Sequence, residues 1–112
     1  MFTQDIQLDA LGDSTRRAIL ARLLQEGPLP VGKLAEDFPV SRPAISQHLR
    51  VLKQARLVTD RAEGNRRLYQ LDPAGFENLR EYFEQFWGQA LQAFQRKVAE
   101  LETRDVQAEE QT

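Results

Sequence analysis

The sequence predicts a mainly α-helical fold with one small β-hairpin, and three observations support the prediction. Residues 31–56 contain a short apolar helical pattern, a turn and a longer helical pattern. Residues 57–71 then alternate apolar and polar positions around a glycine. From residue 73 to residue 104, apolar residues recur every three or four positions. With two short helical patterns before residue 27, these features predict five helices and a hairpin.

The charge of the chain is small in total but unevenly distributed. The 112 residues include 15 Lys and Arg and 17 Asp and Glu, which gives a net charge of −2. Residues 41–70 hold 7 basic and 2 acidic residues (+5), whereas residues 71–112 hold 4 and 9 (−5). A local basic block is what phosphate binding needs. The chain has no cysteine, which excludes disulfides and thiolate sites, and it starts without an apolar leader, so we expect a cytoplasmic protein.

Two helices are predicted at the start of the chain. The first covers residues 4–11 and the second residues 15–26, and a glycine follows each of them. Asp13 and Ser14 are both good N-capping residues for the second helix. The second helix is expected to bury Ala18, Ile19, Leu20, Leu23 and Leu24.

The next two helices are predicted over residues 31–38 and 42–55. Pro39 ends the first, because a proline disfavours helical geometry in the residue before it. Ser41 is placed to cap the second, and Pro43 lies in its first turn, where a missing N–H costs nothing. The buried stripe of the second helix consists of Ile45, Leu49 and Leu52. Two helices joined by so short a turn predict a helix-turn-helix.

An antiparallel hairpin is predicted over residues 57–71. The segments 57–62 and 67–71 alternate as strands do, and residues 63–65 (EGN) lie between them. Glycine and asparagine tolerate positive φ, which favours a tight turn. Leu29 is predicted to form a further strand of one or two residues. A basic hairpin after a helix-turn-helix is a wing, so the predicted architecture is a winged helix-turn-helix with a long C-terminal helix.

The last helix is predicted over residues 73–104, within a single domain of residues 1–104, and residues 105–112 are expected to form a disordered acidic tail. Its apolar stripe has nearly the period of a coiled coil. The compact part of the chain is too small to cover all of it, so we expect the excess to be buried in a homodimer. A helix folded back over its own core is the alternative. The expected dimer interface consists of Ile6, Leu8, Phe76, Leu79, Phe83, Phe86, Trp87, Ala90, Phe94 and Val98.

The face of the second helix-turn-helix helix opposite its buried stripe contains no Asp or Glu, which suits it to phosphates and base edges. We therefore predict that this helix enters the major groove of double-stranded DNA. The recognition-helix residues expected at the groove are Ser41, Arg42, Pro43, Ala44, Ser46, Gln47, His48 and Arg50. Gln47 and Arg42 are the candidates for base contacts, because glutamine pairs with adenine and arginine with guanine. The residues expected to hold phosphates, besides Arg50, are Lys53, Arg61, Arg66 and Arg67.

Other interpretations of these patterns stay open. The two helices could belong to an ordinary three-helix core, and a winged helix can bind a protein partner instead of DNA. An enzyme is disfavoured, because the chain has no cysteine, one histidine (His48) and no glycine-rich phosphate loop. A single histidine without cysteine also makes no metal site. Arg16 and Arg17 form either a solvated face or a phosphate contact, and the aromatic residues around Trp87 form either dimer core or a pocket for an apolar effector.

Three motifs, in this order, resemble those of ArsR/SmtB-type bacterial winged-helix repressors. Residues 11–20 (LGDSTRRAIL) are similar to the opening motif of that family. Residues 41–52 (SRPAISQHLRVL) are similar to its recognition-helix signature, and residues 61–69 (RAEGNRRLY) to its wing. The resemblance covers residues 5–75. It implies a homodimer, joined through its first and last helices, that binds an inverted-repeat operator and represses transcription by blocking polymerase.

The sequence departs from that family in two places. Metal-sensing relatives place cysteine pairs on the first helix of the helix-turn-helix, or histidine and acidic ligands on the dimer helix. Here residues 33–37 (KLAED) contain no cysteine and the last helix no histidine, so the resemblance implies a member with neither metal nor cofactor. Arg56 stands where the family usually has glycine. Either Arg56 adopts a left-handed conformation, or the recognition helix ends without that cap.

Overall fold

The computed structural model describes residues 3–111. Its elements in chain order are α1 (Thr3–Ala10), α2 (Ser14–Glu26), β1 (Leu29–Pro30), α3 (Val31–Glu36), α4 (Arg42–Gln54), β2 (Val58–Glu63), β3 (Arg66–Leu71) and α5 (Pro73–Gln111). The strands form one antiparallel sheet in the order β1-β3-β2. The predicted fold class, a mainly helical winged helix-turn-helix with a long C-terminal helix, is confirmed.

The chain divides into two compact units, one ending at Leu79 and the other beginning at Arg80. The first unit contains a hydrophobic core, whose buried members are Ala10, Ile19, Leu20, Leu23, Leu34, Ile45, Leu49, Leu52, Ala55, Leu57, Val58 and Leu79. Because the stripe of α4 lies inside this core, the opposite face of α4 points outward. The second unit is the remainder of α5, which is helical as far as Gln111. No helix in the described part of the chain combines the length and apolar character needed to cross a membrane.

The hairpin of the first unit is regular. Strands β2 and β3 pair from Val58 opposite Leu71 at the base to Glu63 opposite Arg66 at the tip. The two-residue turn begins with Gly64, whose φ is 63°, a conformation that favours glycine. A positive φ at the first turn position and not at the second is the pattern of a type II′ turn, whose twist suits antiparallel strands. The tip is therefore a short turn that can carry arginines on both sides.

Two predicted helix ends were wrong. Helix α3 ends at Glu36, two residues before the predicted end, and Asp37 closes it by donating its backbone N–H to the Leu34 carbonyl at 3.3 Å. Helix α5 continues through the expected disordered tail to Gln111. Residues 105–111 (DVQAEEQ) contain no glycine or proline and several strong helix formers, so nothing in them stops the helix.

Three burial predictions were also wrong. The buried face of α2 consists of Ile19, Leu20 and Leu23. Ala18 and Leu24 lie on the neighbouring faces and are exposed, Leu24 by 73%. Leu79, which was expected to contact a partner chain, is only 4% exposed, because it is part of the core of its own chain.

Candidate nucleic-acid interface

Helix α4 begins at the N-cap predicted from the sequence. Ser41 has an extended backbone, and its hydroxyl oxygen accepts a hydrogen bond from the Ala44 backbone N–H at 3.2 Å. Pro43 lies in the first turn, which contains no acidic residue. Of the eight residues expected at the groove, Ser41, Arg42, Pro43, Gln47 and Arg50 are exposed, and Ala44, Ser46 and His48 are partly buried. The start of the helix therefore presents polar and basic side chains without a competing carboxylate.

Gln47 and Arg50 lie one turn apart on this face and contact each other. The Arg50 guanidinium donates a hydrogen bond to the Gln47 side-chain carbonyl at 3.1 Å. Both residues are exposed, so the contact fixes two long side chains at the surface. Pairing with adenine uses both the carbonyl and the amide of a glutamine. Gln47 must therefore exchange its contact with Arg50 before it can make such a pair.

His48 is turned towards α2. Its Nδ1 atom is buried, lies 3.9 Å from the Asp13 carboxylate and has no hydrogen-bond partner among the described residues. Asp13 is the N-cap of α2 and accepts a hydrogen bond from the Arg16 backbone N–H at 3.0 Å. That hydrogen bond, followed by the charge interaction with His48, lowers the pKa of Asp13. One side of the His48 ring is thus committed to the protein interior.

The end of α4 is closed by a Schellman motif. The Arg56 backbone N–H donates to the Lys53 carbonyl, and the Leu57 N–H donates to the Leu52 carbonyl, both at 3.0 Å. Arg56 occupies the position that requires positive φ, and its φ is 61°. The first of the two alternatives for Arg56 is therefore the one that the structure adopts. The chain turns directly into the wing, because β2 begins at the next residue but one, Val58.

The wing tip carries two exposed arginines. Arg61 and Arg66 are both exposed on the hairpin. The Arg66 guanidinium lies 3.9 Å from the Glu63 carboxylate, and both side chains are more than half exposed. An exposed pair at this distance is weak and screened by salt. Both arginines therefore remain available to a phosphate.

Lys53 and Arg67, two other residues expected to hold phosphates, share a carboxylate that the sequence did not single out. Lys53 Nζ lies 2.7 Å from one oxygen of Asp60, and Arg67 Nε donates to the other oxygen at 2.6 Å. The Asp60 side chain is 7% exposed. The hydrogen bond with Lys53, followed by that with Arg67, lowers the pKa of Asp60. A carboxylate inside a basic block was the available signal.

Arg16 and Arg17 have a role that neither open interpretation included. Arg16 Nε donates to the Ala10 carbonyl and Arg17 Nη1 donates to the Leu11 carbonyl, each at 2.6 Å. A helix leaves its last carbonyls without partners inside the helix, and basic side chains can satisfy them. These arginines therefore close the end of α1. The link of three residues between α1 and α2 was the signal in the sequence.

A buried glutamine, also not predicted, joins α1 to the start of α5. Gln7 is fully buried, and its amide donates to the Gly75 carbonyl at 3.0 Å. Its side-chain oxygen accepts a hydrogen bond from Asn78 at 3.2 Å. A Cβ atom at Gly75 would overlap the backbone carbonyl of Arg56, so glycine permits this close approach. The start of α5 thus packs directly on the residue that ends the recognition helix.

The exposed apolar surface of the chain is concentrated in the second unit. Its large exposed apolar residues are Phe83, Phe86, Trp87, Leu91, Phe94, Val98 and Leu101. Ala90 is exposed as well, whereas Ile6, Leu8 and Phe76 of the first unit are partly buried. Contiguous apolar surface of this kind marks an interaction site. Among the described residues, no group of three or more His, Cys, Asp or Glu is arranged to hold a metal ion.

Comparisons with known sequences agree on one class of protein. A sequence profile described as bacterial regulatory protein, arsR family, matches residues 13–60. The HTH-type transcriptional regulator Rv2034 of Mycobacterium tuberculosis is 58% identical over 89 residues, which are 80% of this chain and 82% of the relative. The transcriptional repressor SdpR of Bacillus subtilis is 44% identical over 63 residues, which are 56% of this chain and 69% of the relative.

Solved structures give the same result. A possible transcriptional regulator for arsenical resistance is 52% identical, with a TM-score of 0.64, over 72% of this chain and 83% of the other. The homodimeric winged helix-turn-helix DNA-binding domain of Mb0332 from Mycobacterium bovis is 27% identical, with a TM-score of 0.60, over 79% of this chain and 78% of the other. Similarity in sequence and in structure thus covers the helix-turn-helix and the wing.

Proposed function

This chain belongs to the arsR family of bacterial regulatory proteins and is a DNA-binding transcriptional regulator, and we propose that it acts as a homodimeric repressor at an inverted-repeat operator. In this proposal α4 enters the major groove and the wing lies on the flanking backbone. SdpR, which is similar over 63 residues, is itself a repressor. A dimer of this kind would cover a promoter and exclude polymerase.

The observation that supports the proposal most is the outer face of α4. Its apolar stripe is buried to within 1% of full burial, so the opposite face is fixed towards solvent. That face has no acidic residue, and two exposed arginines of the wing, Arg61 and Arg66, follow it along the chain. Arginine and glutamine match the donor and acceptor pattern of base edges, and arginine also matches phosphate.

The assembly that we propose explains the exposed aromatic stripe of α5. Helix-turn-helix proteins bind two half-sites with two-fold symmetry, and the recognition helices then lie roughly 34 Å apart, one turn of DNA. Burying the apolar residues of the second unit between two copies would provide that symmetry. The homodimeric domain of Mb0332 has the same fold.

We further propose that DNA binding by this protein does not depend on a metal ion. The segment Lys33–Asp37, where metal-sensing relatives place cysteines, consists of one basic, two apolar and two acidic residues. Zinc and related ions are held in proteins by thiolate, imidazole and carboxylate ligands in groups of three or four. The affinity for operator DNA should therefore be the same with a chelator and with added zinc.

The decisive experiment is selection and sequencing of DNA fragments bound by the full chain, followed by titration of the selected duplex. We expect an inverted repeat with half-sites 10–10.5 base pairs apart, or a multiple of that spacing, roughly one helical turn. The selected duplex should bind at least about a thousandfold more tightly than a scrambled duplex of equal length. A chain that binds no duplex at low salt, but retains a protein partner from solution, would overturn the proposal.

A further inference from the structure

Three elements of the proposed interface meet at one carboxylate. Asp60 lies on β2, Lys53 in the last turn of α4 and Arg67 on β3. The distances to the carboxylate oxygens are 2.7 Å from Lys53 Nζ and 2.6 Å from Arg67 Nε. In the β2–β3 register Asp60 faces Tyr69, two residues from Arg67 on the same face of the sheet, within reach of a long side chain. The recognition helix and both strands of the wing are thus joined by one side chain.

The three side chains differ sharply in exposure. That of Asp60 is 7% exposed, whereas those of Lys53 and Arg67 are 53% and 56% exposed. The carboxylate therefore lies behind the two cations, and solvent meets the cations first. An ammonium group has three N–H donors and a guanidinium five, and each contact with Asp60 uses one of them. Both cations keep donors for a phosphate while Asp60 holds their positions.

The charge of this cluster is smaller than its two cations suggest. The ionised carboxylate cancels one of the two positive charges, so the cluster offers a net charge of about +1 to a phosphate. The lowered pKa of Asp60 means that this cancellation persists at neutral pH. Each phosphate neutralised by a protein adds about 0.9 to the salt dependence of binding, whatever the base sequence. One carboxylate can therefore weaken binding to every duplex.

We propose that Asp60 is a specificity-determining residue, which reduces sequence-independent attraction to DNA while it fixes the wing against the recognition helix. Specificity is the difference between two affinities, so it rises when binding to the wrong partner is weakened. Asp60 lowers affinity for any backbone by removing one unit of charge. It preserves affinity for the operator because it keeps Lys53 and Arg67 in one arrangement. This inference rests on the proposed function, since it requires both elements to contact DNA.

The test compares Asp60→Asn with the unmodified chain on operator and on scrambled duplex across a series of salt concentrations. Asparagine has nearly the same shape but no charge. We expect the salt slope on scrambled DNA to become steeper by about 1. The ratio of operator affinity to scrambled affinity should fall roughly three- to tenfold. An unchanged slope and an unchanged ratio would overturn the inference.

Glu63→Gln is the matched control. Glu63 lies on the same strand, and the substitution makes the same change of charge, but its side chain is 55% exposed and only 3.9 Å contact joins it to Arg66. We expect the ratio of the two affinities to stay within about twofold of the unmodified value, because an exposed pair is weak. An equal fall in Glu63→Gln and Asp60→Asn would show a general effect of charge and would also overturn the inference.

A compensated variant, Lys53→Gln with Asp60→Asn, keeps the test decisive if Asp60→Asn alone does not fold. Its cluster again has one net positive charge, from Arg67. The slope on scrambled DNA should therefore equal that of the unmodified chain, while the operator ratio falls because the link to α4 is lost. An operator ratio equal to that of the unmodified chain would refute the positioning role. Failure of the unmodified chain to bind any duplex would instead refute the proposed function.

Discussion

Arg56 holds a backbone conformation that L-residues other than glycine rarely adopt. Its φ of 61° is the left-handed value that the Schellman motif at the end of α4 demands. For a residue with a Cβ atom this conformation costs roughly 1–2 kcal/mol. The surrounding structure enforces it: the Arg56 N–H is bonded to Lys53, and the residues on either side, Ala55 and Leu57, are fully buried.

Replacing Arg56 by glycine should therefore stabilise the protein. We expect a gain of about 0.5–1 kcal/mol in the free energy of unfolding, because relief of the left-handed strain exceeds the extra freedom that glycine gives the unfolded chain. Urea denaturation at fixed protein concentration measures it. Arg56→Ala is the control, since it removes the same charge and keeps the strain. Equal midpoints for the two variants would show that the conformation is not strained.

At this scale the sequence predicted positions better than partners. Ser41 was predicted as an N-cap because its hydrogen bond is local, to a residue three positions along. For Arg56 the sequence left two alternatives, since whether a residue takes positive φ depends on the packing around it. Asp60 and Gln7 were missed because their partners lie on other elements, 7 and 68 residues away in sequence. Spacing in a sequence does not show which distant backbone or side chain will be adjacent.

The recognition helix and the wing should make different contributions to binding. Gln47 lies on the outer face of α4, where it can reach a base edge, whereas Arg66 lies at the wing tip near the backbone. We expect Gln47→Ala to relax preference at one base pair of the half-site, at a cost of roughly 1–3 kcal/mol. Arg66→Ala should weaken all duplexes about equally and lower the salt slope by about 1 per site lost.

Binding-site selection and salt titration with both variants distinguish these roles. Each variant serves as the control for the other, since both remove a long exposed side chain from the same proposed interface. A Gln47→Ala variant that selects the unchanged motif does not make a base contact through that residue. A large sequence-dependent effect of Arg66→Ala would move the wing tip from the backbone to a groove.

Elements were predicted well where a local signal defines them. The caps and apolar periods of α2 and α4 gave ends within one residue of those observed, and the turn at Gly64 gave the hairpin. The end of α3 was missed because Asp37 closes the helix before the effect of Pro39 is felt. The last residues of α5 were missed because an acidic composition was taken as disorder, although Glu, Gln and Ala favour a helix. Leu24 was misplaced because the buried stripe of α2 is narrower than its apolar pattern.

For the whole molecule, the decisive feature is apolar surface that the described chain leaves uncovered. Phe83, Phe86 and Phe94 are 49%, 54% and 65% exposed, and Trp87 is 70% exposed. Large aromatic side chains contribute most to association when they are buried in an interface. The sequence predicted this surplus from the length of the stripe, but it placed Leu79 in the interface as well. Only the three-dimensional core shows that Leu79 is already covered.

Two substitutions on the stripe test whether this surface holds two copies together. Phe83→Asp with Phe86→Asp should give monomers, because two carboxylates would have to be desolvated where two rings were buried. Operator binding should be lost with the dimer, since one recognition helix contacts one half-site. Because both positions are exposed in the single chain, the helix content by circular dichroism should change little. Sedimentation equilibrium measures the mass, and a mobility shift on the selected duplex measures binding.

Gln85→Asp with Gln92→Asp is the matched control, because it adds the same two charges to exposed positions on the opposite side of the same helical segment. This variant should remain dimeric and bind the operator with an affinity close to that of the unmodified chain. If both double variants dissociate, the effect is one of net charge and not of the stripe. If neither dissociates, the two copies are joined elsewhere, and the exposed aromatic residues of α5 need another partner. Dissociation of the phenylalanine variant alone assigns the dimer to this face, and with it the spacing of the two recognition helices on DNA.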